Sequence, residues 1–172
     1  MREDKILSPE YCAGLFDGEG TVYAANRQRP SGKRPSPTIM IFISNTNREI
    51  IDILQGDWGG SVWTRVHRDG GSQDQHQWAL APKMGYPFLK CIQPFVIIKR
   101  DVVAVALQLC ELMRLPRAER IDYSHTIERG GRKWSSPIVR PEFHSKTMTL
   151  HAEIRRLNTR GAPFNATRQY DA

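Results

Sequence analysis

CAGLFDGEG, residues 12–20, sets four small residues, Ala13, Gly14, Gly18 and Gly20, around two carboxylates, Asp17 and Glu19. The residues just before it say what it is. Ser8-Pro9-Glu10 predicts a helix start: Ser8 caps, Pro9 suits the first helical position, and Glu10 complements the positive end of the dipole. The helix runs through Tyr11, Cys12, Ala13, Gly14, Leu15 and Phe16 and stops in the glycines at Gly18 or Gly20. Both acids therefore sit at its C-terminal end.

Outward from this helix, TVYAANRQR (21–29) and SPTIMIFIS (36–44) read as a hairpin around the turn-rich RPSGKRPSP. Asn47 caps a helix through REIIDILQ that ends at Gly59-Gly60. SVWTRVHR (61–68) and HQWALA (76–81) form a second hairpin, PKMGYPFLKCIQPF a short helix, and VVAVALQLCELM a longer one opened by Asp101 and closed before Pro116. The order helix, two strands, helix, two strands, two helices predicts an α+β fold, an αββαββα core and a further helix, with one antiparallel sheet and its helices on one face. Beyond Pro116, ERIDYSHTI carries a helical expectation and GGRKWSSPIVRP that of a basic loop. In PEFHSKTMTLHAEIRRL, Phe143, Thr147, Leu150, Ile154 and Leu157 recur at helical spacing, as in a helix lying on the core. Residues 1–113 are expected to form the core and residues 114–172 a basic helical extension of the same domain.

The nine-residue motif and its flanks resemble the LAGLIDADG homing endonucleases. CAGLFDGEG matches the family motif at Ala13, Gly14, Leu15, Asp17 and Gly20; ISNTNREI (43–50) resembles the polar turn before the next helix, and IQPFVIIKRD (92–101) the segment ending in an active-site lysine. The similarity covers roughly residues 6–113. It implies that two motif helices pack along Ala13, Gly14 and Gly18, with Asp17 tending the interface and Glu19, beside Gly20, holding a divalent cation shared between two copies. One motif per 172 residues implies a two-fold homodimer, two sheets side by side as a saddle, and a pseudo-palindromic double-stranded DNA target. The implied activity is site-specific phosphodiester hydrolysis with Mg2+, Mn2+ or Ca2+ being able to take its place in vitro, by an enzyme encoded within an intron or free-standing. Lys99 aligns with the family lysine that activates water or offsets transition-state charge, and Asn45 stands where the family often has glutamine. Cys12 for leucine, Glu19 for aspartate and Asn45 for glutamine are departures. Asn45 reads equally as a turn residue.

For DNA reading, strict alternation puts Thr21, Tyr23, Ala25, Arg27 and Arg29 on one face of the first strand. Trp63, Arg65 and His67 alternate on the second hairpin, with Gln75 and Gln77 able to read adenine. Lys33, Arg34, Arg132, Lys133 and Arg140 are expected at phosphates, which position without specifying. TIMIFIS does not alternate: Met40 and Phe42 either meet thymine methyls or lie under the neighbouring strand. Trp58, Trp63, Trp78 and Trp134 read as core or interface.

Charge agrees with a polyanionic partner. The net charge is +7; residues 1–113 hold 13 Lys/Arg against 12 Asp/Glu, and residues 114–172 hold 12 against 6. Thr21 to Asn47 contains Arg27, Arg29, Lys33 and Arg34 and no acid. No apolar run approaches the roughly 20 residues of a membrane helix, and MREDKIL lacks a signal-peptide core, so an intracellular, non-secreted, non-membrane protein is expected. Cys12, Cys91 and Cys110 read as core thiols, and His67, His76, His125, His144 and His151 lack the spacing of a histidine metal centre. Two rivals stand beside the endonuclease: a non-cleaving DNA-binding regulator or RNA maturase of the same fold, and a monomeric basic RNA-binding module.

Overall fold

The computed structural model describes residues 6–27, 36–66, 73–135 and 138–159. Its elements follow in the order α1 (Pro9–Glu19), β1 (Gly20–Arg27), β2 (Ser36–Asn45), α2 (Arg48–Trp58), β3 (Ser61–Arg65), β4 (Gln75–Leu80), α3 (Pro82–Ile92) and α4 (Arg100–Arg114), the expected αββαββα core and its next helix. The strands form one antiparallel sheet in the order β1-β2-β4-β3. Local chemistry sets the helix ends: Ser8 Oγ accepts from the Tyr11 N–H at 3.2 Å, and Asn47 Oδ1 accepts from Glu49 and Ile50. Each of these satisfies donors that the first helical turn leaves unpaired.

Alternation divides the sheet into two faces. Val22 on β1, Ile39, Ile41 and Ile43 on β2, and Trp78 and Leu80 on β4 are buried under the helices. Against them pack Cys12, Ala13 and Phe16 of α1, Ile51 and Leu54 of α2, Phe88, Leu89 and Ile92 of α3, and the buried side of α4. Phe88 is the hub, with ring centroids of Phe16, Trp58 and Trp78 at 6.0, 5.2 and 5.1 Å, each steeply tilted toward the edge-to-face arrangement that the ring quadrupole favours. Trp78 Nε1 donates to the Gly59 carbonyl at 2.7 Å, so its burial leaves no donor unmet. Cys12 and Cys110 are buried thiols and Cys91 is half-buried; burial pushes the Cys110 pKa up to about 12. Trp63 is not a core residue: β-alternation turns it to the opposite face.

The segment after α4 departs from expectation. ERIDYSHTI is not one helix but a single turn, α5 (Arg117–Arg120), followed by β5 (Ile121–Asp122) and β6 (Thr126–Arg129); the basic loop contains β7 (Arg132–Ser135) and β8 (Ile138–Val139). Gly130 and Gly131, with φ of 58° and 73°, make the two-residue turn that pairs β6 with β7. Only glycine takes two successive positive φ values cheaply, and such a turn closes a hairpin. Asp122 also stops a helix here, its carboxylate accepting from the Ser124 N–H and Oγ at 2.9 and 2.7 Å. α6 (Pro141–Leu157) then returns over α4, burying Thr147, His151 and Ile154. At its end Asn158 Nδ2 donates to the Val22 carbonyl on edge strand β1 at 2.6 Å. Among the described residues, no helix is long and apolar enough to cross a membrane.

Gly60 and Gly56 give a paired check on this packing. Gly60 has φ of 93°, and a Cβ there would collide with the Ala79 carbonyl oxygen and sit 2.7 Å from Leu80 Cδ2. Gly60→Ala is expected to lower stability by about 1–3 kcal/mol. Gly56→Ala, on α2 with open space around its Cβ, is expected to raise it by about 1 kcal/mol, both read from urea unfolding midpoints.

Candidate functional site

The site grows from the end of α1. Gly20 closes the helix, its N–H bonding to the Phe16 carbonyl, and leaves it in an extended conformation that begins β1. A Cβ on Gly20 would run into the Phe16 ring and carbonyl, so glycine is required where the chain turns over that buried ring. Two acids separated by one residue then meet different fates. Asp17 points to the segment before α4: its Oδ2 accepts from the N–H groups of Ile97 and Ile98 at 2.7 and 3.2 Å, and its Oδ1 from that of Lys99 at 2.9 Å. Glu19, the last helical residue, stays exposed.

Lys99 answers in the opposite direction. Its Nζ donates to the carbonyls of Phe16 at 3.0 Å and Gly20 at 2.6 Å, placing a cation where the helix dipole is negative. The ammonium also lies 5.8 Å from the Phe16 ring centroid. Burial lowers the Lys99 pKa, opposed by the charges of Asp17 and Glu19. The result is a lysine held at a fixed point beside an exposed glutamate.

Asn45 ends β2 on the same side of the sheet, because the register sets Gly20 opposite Ile43. Its Oδ1 accepts from the Asn47 N–H at 2.8 Å, so it builds the turn into α2 whatever else it does. Along α1, Gly14 and Gly18 face open space and Tyr11 is exposed; at the helix end Ile97 and Ile98 are the most exposed of the nearby apolar side chains. Ala13, by contrast, is buried within its own chain.

The face of the sheet away from the helices carries Thr21, Tyr23, Met40, Phe42, Ser44, Trp63, Arg65, Gln75 and Gln77. Arg65 and Gln75 are opposite one another at the β3–β4 end, and Gln77 Nε2 donates to Ser44 Oγ at 2.9 Å. Met40 and Phe42 are half-buried here, neither covered by a neighbouring strand nor fully open. The backbone of Arg27 continues β1, while Arg29, Lys33, Arg34 and His67 lie outside the described residues. Arg132 and Lys133 are exposed on the β6–β7 hairpin, not on the four-stranded sheet. Arg140 caps α6 and its Nε donates to the Ala118 carbonyl at 3.2 Å. Two features escaped sequence reading: the Asp17 bonds to residues 97–99, between segments about eighty positions apart, and the contact of aromatic rings across the open face. Alternation put Tyr23 and Trp63 on one face each, but only the register shows that Phe42 joins them.

A four-stranded β1-β2-β4-β3 sheet, entered from a small-residue helix tipped by acids and backed by helices on one face, is the fold of the LAGLIDADG homing endonucleases. Among solved structures the chain is similar to the homing endonuclease I-CvuI in complex with its target in the presence of Ca, with TM-score 0.62, 16% identity, and 91% of this chain and 85% of that one covered. It is similar to the archaeal intron-encoded homing endonuclease I-Vdi141I complexed with DNA (TM-score 0.62, 13% identity, 89% and 85% covered) and to the homing endonuclease I-TnaI (0.57, 16%, 88% and 95%). No protein-family model and no curated protein matches the chain.

Replacing Asp17 tests the exchange. Asp17→Asn loses the charge that three N–H donors share and is expected to cost about 2 kcal/mol in urea unfolding. Because the Asp17 charge holds the Lys99 pKa up against burial, the same variant is expected to titrate Lys99 at lower pH, observed by NMR of the lysine Nζ.

Proposed function

We propose that the chain is one half of a site-specific, divalent-metal-dependent DNA endonuclease of the homing type, acting inside the cell as a homodimer on a pseudo-palindromic duplex. The observation that carries this reading is the division of labour at the end of α1: Asp17 is engaged by its own chain, Glu19 is left exposed, and the Lys99 ammonium is anchored beside it. The solved structures with this fold include complexes with DNA, one of them in the presence of Ca, which supports the substrate class and the cation.

The donors fit such a cation in type. The Glu19 carboxylate is a hard oxygen ligand, which suits Mg2+ and its stand-ins Mn2+ and Ca2+, whereas the Gly20 carbonyl expected beside it already accepts from the Lys99 ammonium at 2.6 Å. Among the described residues of one chain, no three of His, Cys, Asp and Glu gather as a metal site, so the remaining donors come from a second copy, water and DNA. The bound cation supplies Lewis-acid polarisation of the scissile phosphate and a water of lowered pKa. The chain does the rest. Glu19 would hold the cation; Lys99, held by two carbonyls, carries positive charge to the phosphate without any rearrangement during reaction. Asn45 positions water with the amide group that its turn bond leaves in place. Tyr23, Arg65, Gln75 and Gln77 hold the duplex along the sheet; Arg27, Arg29, Lys33, Arg34 and His67 are further DNA-binding residues, and Arg132, Lys133 and Arg140 contact phosphates.

Dimerisation through α1 is supported by the same geometry. Gly14 and Gly18, four residues apart, share one stripe of α1 with no neighbour within 4 Å of where a Cβ would stand, and exposed Tyr11, Ile97 and Ile98 lie nearby. An apolar, side-chain-free stripe is a surface on which a second α1 can rest at backbone distance.

Two outcomes check this. Incubated with a duplex library and Mg2+, the wild type is expected to cut a defined target, and Glu19→Gln and Lys99→Met are each expected to lose about 100-fold or more in cleavage rate while still binding it; specific binding without wild-type cutting would instead make the protein a non-cleaving regulator. Gly14→Leu and Gly18→Leu are expected to convert the dimer to a monomer by sedimentation while leaving the fold intact, because each new side chain enters open space in the single chain.

A further inference from the structure

The open face of the sheet is not uniformly polar. Tyr23 on β1, Phe42 on β2 and Trp63 on β3 form a continuous row across the strands, with ring centroids 6.2 Å apart for Tyr23–Phe42 and 5.8 Å for Phe42–Trp63. The row can cross β4 because the residue opposite Phe42 there is Ala79, whose methyl lets the Phe42 and Trp63 rings meet above it. Met40, paired with Tyr23, widens the row. Tyr23 is 54% and Trp63 44% exposed, although each is a large apolar group on a basic protein. Ser44, Gln77, Gln75 and Arg65 border the row on the side toward the β3–β4 turn.

We propose that this row reads thymine 5-methyl groups in the major groove, as the specificity-determining contact of each half-site; the proposal rests on duplex DNA lying along this face. The major groove displays donors, acceptors and a single apolar feature, the methyl of thymine. An apolar bar bordered by glutamine and arginine therefore complements a short methyl-rich block flanked by bases read through hydrogen bonds. The dimensions agree: two centroid separations near 6 Å place the outer rings no more than about 12 Å apart, the width of the groove. Tyr23 is level with Met40 and Trp63 with Gln77, two residues to either side of Phe42, so the row crosses the strands diagonally; with the strands following the groove it runs obliquely across it and meets about two or three adjacent base pairs.

Ring orientation selects duplex methyls over unpaired bases. A platform for stacking single-stranded RNA presents flat faces to successive bases. Here the interplanar angles are 40° and 81°, so the three rings do not share one plane and cannot together present a flat platform.

The experiment uses the full-length wild-type protein. A target is selected from a random-sequence duplex library in Ca2+, and each thymine is then replaced singly by deoxyuridine, which removes the methyl and nothing else. Affinity is expected to fall roughly three- to fivefold per methyl at two or three adjacent base pairs of each half-site and to hold elsewhere. Phe42→Ser and Trp63→Ser, checked for folding by circular dichroism, are expected to bind thymine and deoxyuridine targets equally. Specific duplex binding with no deoxyuridine effect at any position would overturn the thymine reading while leaving the endonuclease reading intact. Preference for single-stranded RNA over every duplex would overturn both.

Discussion

Two segments about eighty residues apart hold each other at the end of α1, and the placing of the site depends on that exchange. Asp17 accepts three N–H groups from residues 97–99, and Lys99 returns its ammonium to the carbonyls of Phe16 and Gly20. The N–H groups of 97–99 precede α4 and have no helical partner of their own; the carbonyls of Phe16 and Gly20 stand at the negative end of α1, where a cation is favoured. Asp17 thus satisfies the donors of the second segment and Lys99 complements the helix end of the first, with a formal charge on both sides strengthening the bonds. Loop closure over such a separation costs only a few kcal/mol more than over a short one, because the entropy grows with the logarithm of length, so several charge-assisted bonds outweigh it.

From that fixed point the sheet inherits its orientation. Gly20 leaves α1 directly into β1, and its pairing with Ile43 sets the register of β2. One residue of slip would exchange faces, carrying Val22 into solvent and Tyr23 into the core. The core makes the slip costly: Ile39, Ile41 and Ile43 are all buried, and burying one such side chain is worth roughly 1.5–3 kcal/mol. The aromatic row and the polar positions beside it are therefore displayed by a register that the opposite face enforces. Asn158 adds a bond from the last turn of α6 to the Val22 carbonyl, securing the edge strand where it leaves the helix.

Much of this was legible because the signals are local. Ser8-Pro9 and Asn47 mark their helices with side chains that act within three residues, and alternation along TVYA declares a face without reference to the partner strand. The motif resemblance brought Glu19 and Lys99 to one site, which spacing alone would not have done. What escaped reading acts at a distance or through backbone shape. Asp17 was expected at a helix interface, yet its oxygens are filled within the chain by backbone donors, which carry no sequence signature. TIMIFIS, with no polar alternation, could not say which face Phe42 takes; the register with Ala79 decides it. Gly130-Gly131 is a hairpin signal that the surrounding basic residues obscured, and the short strands on either side fell below any periodicity test.

Under the proposed function, the reciprocal exchange also makes a single chain an incomplete catalyst. By engaging Asp17, it leaves Glu19 as the one exposed carboxylate at the helix end, and a hard cation requires about six oxygen ligands. The residues whose N–H groups hold Asp17 are the same ones whose side chains, Ile97 and Ile98, are turned to solvent. Fixing the acid thus exposes an apolar surface next to the stripe of Gly14 and Gly18. In the proposed dimer, covering that surface and completing the cation's ligands are one event, because α1 presents both to its two-fold mate. On that proposal catalytic competence is tied to assembly: a single chain has its lysine in place and its glutamate exposed, and a close helix contact would deliver the second glutamate.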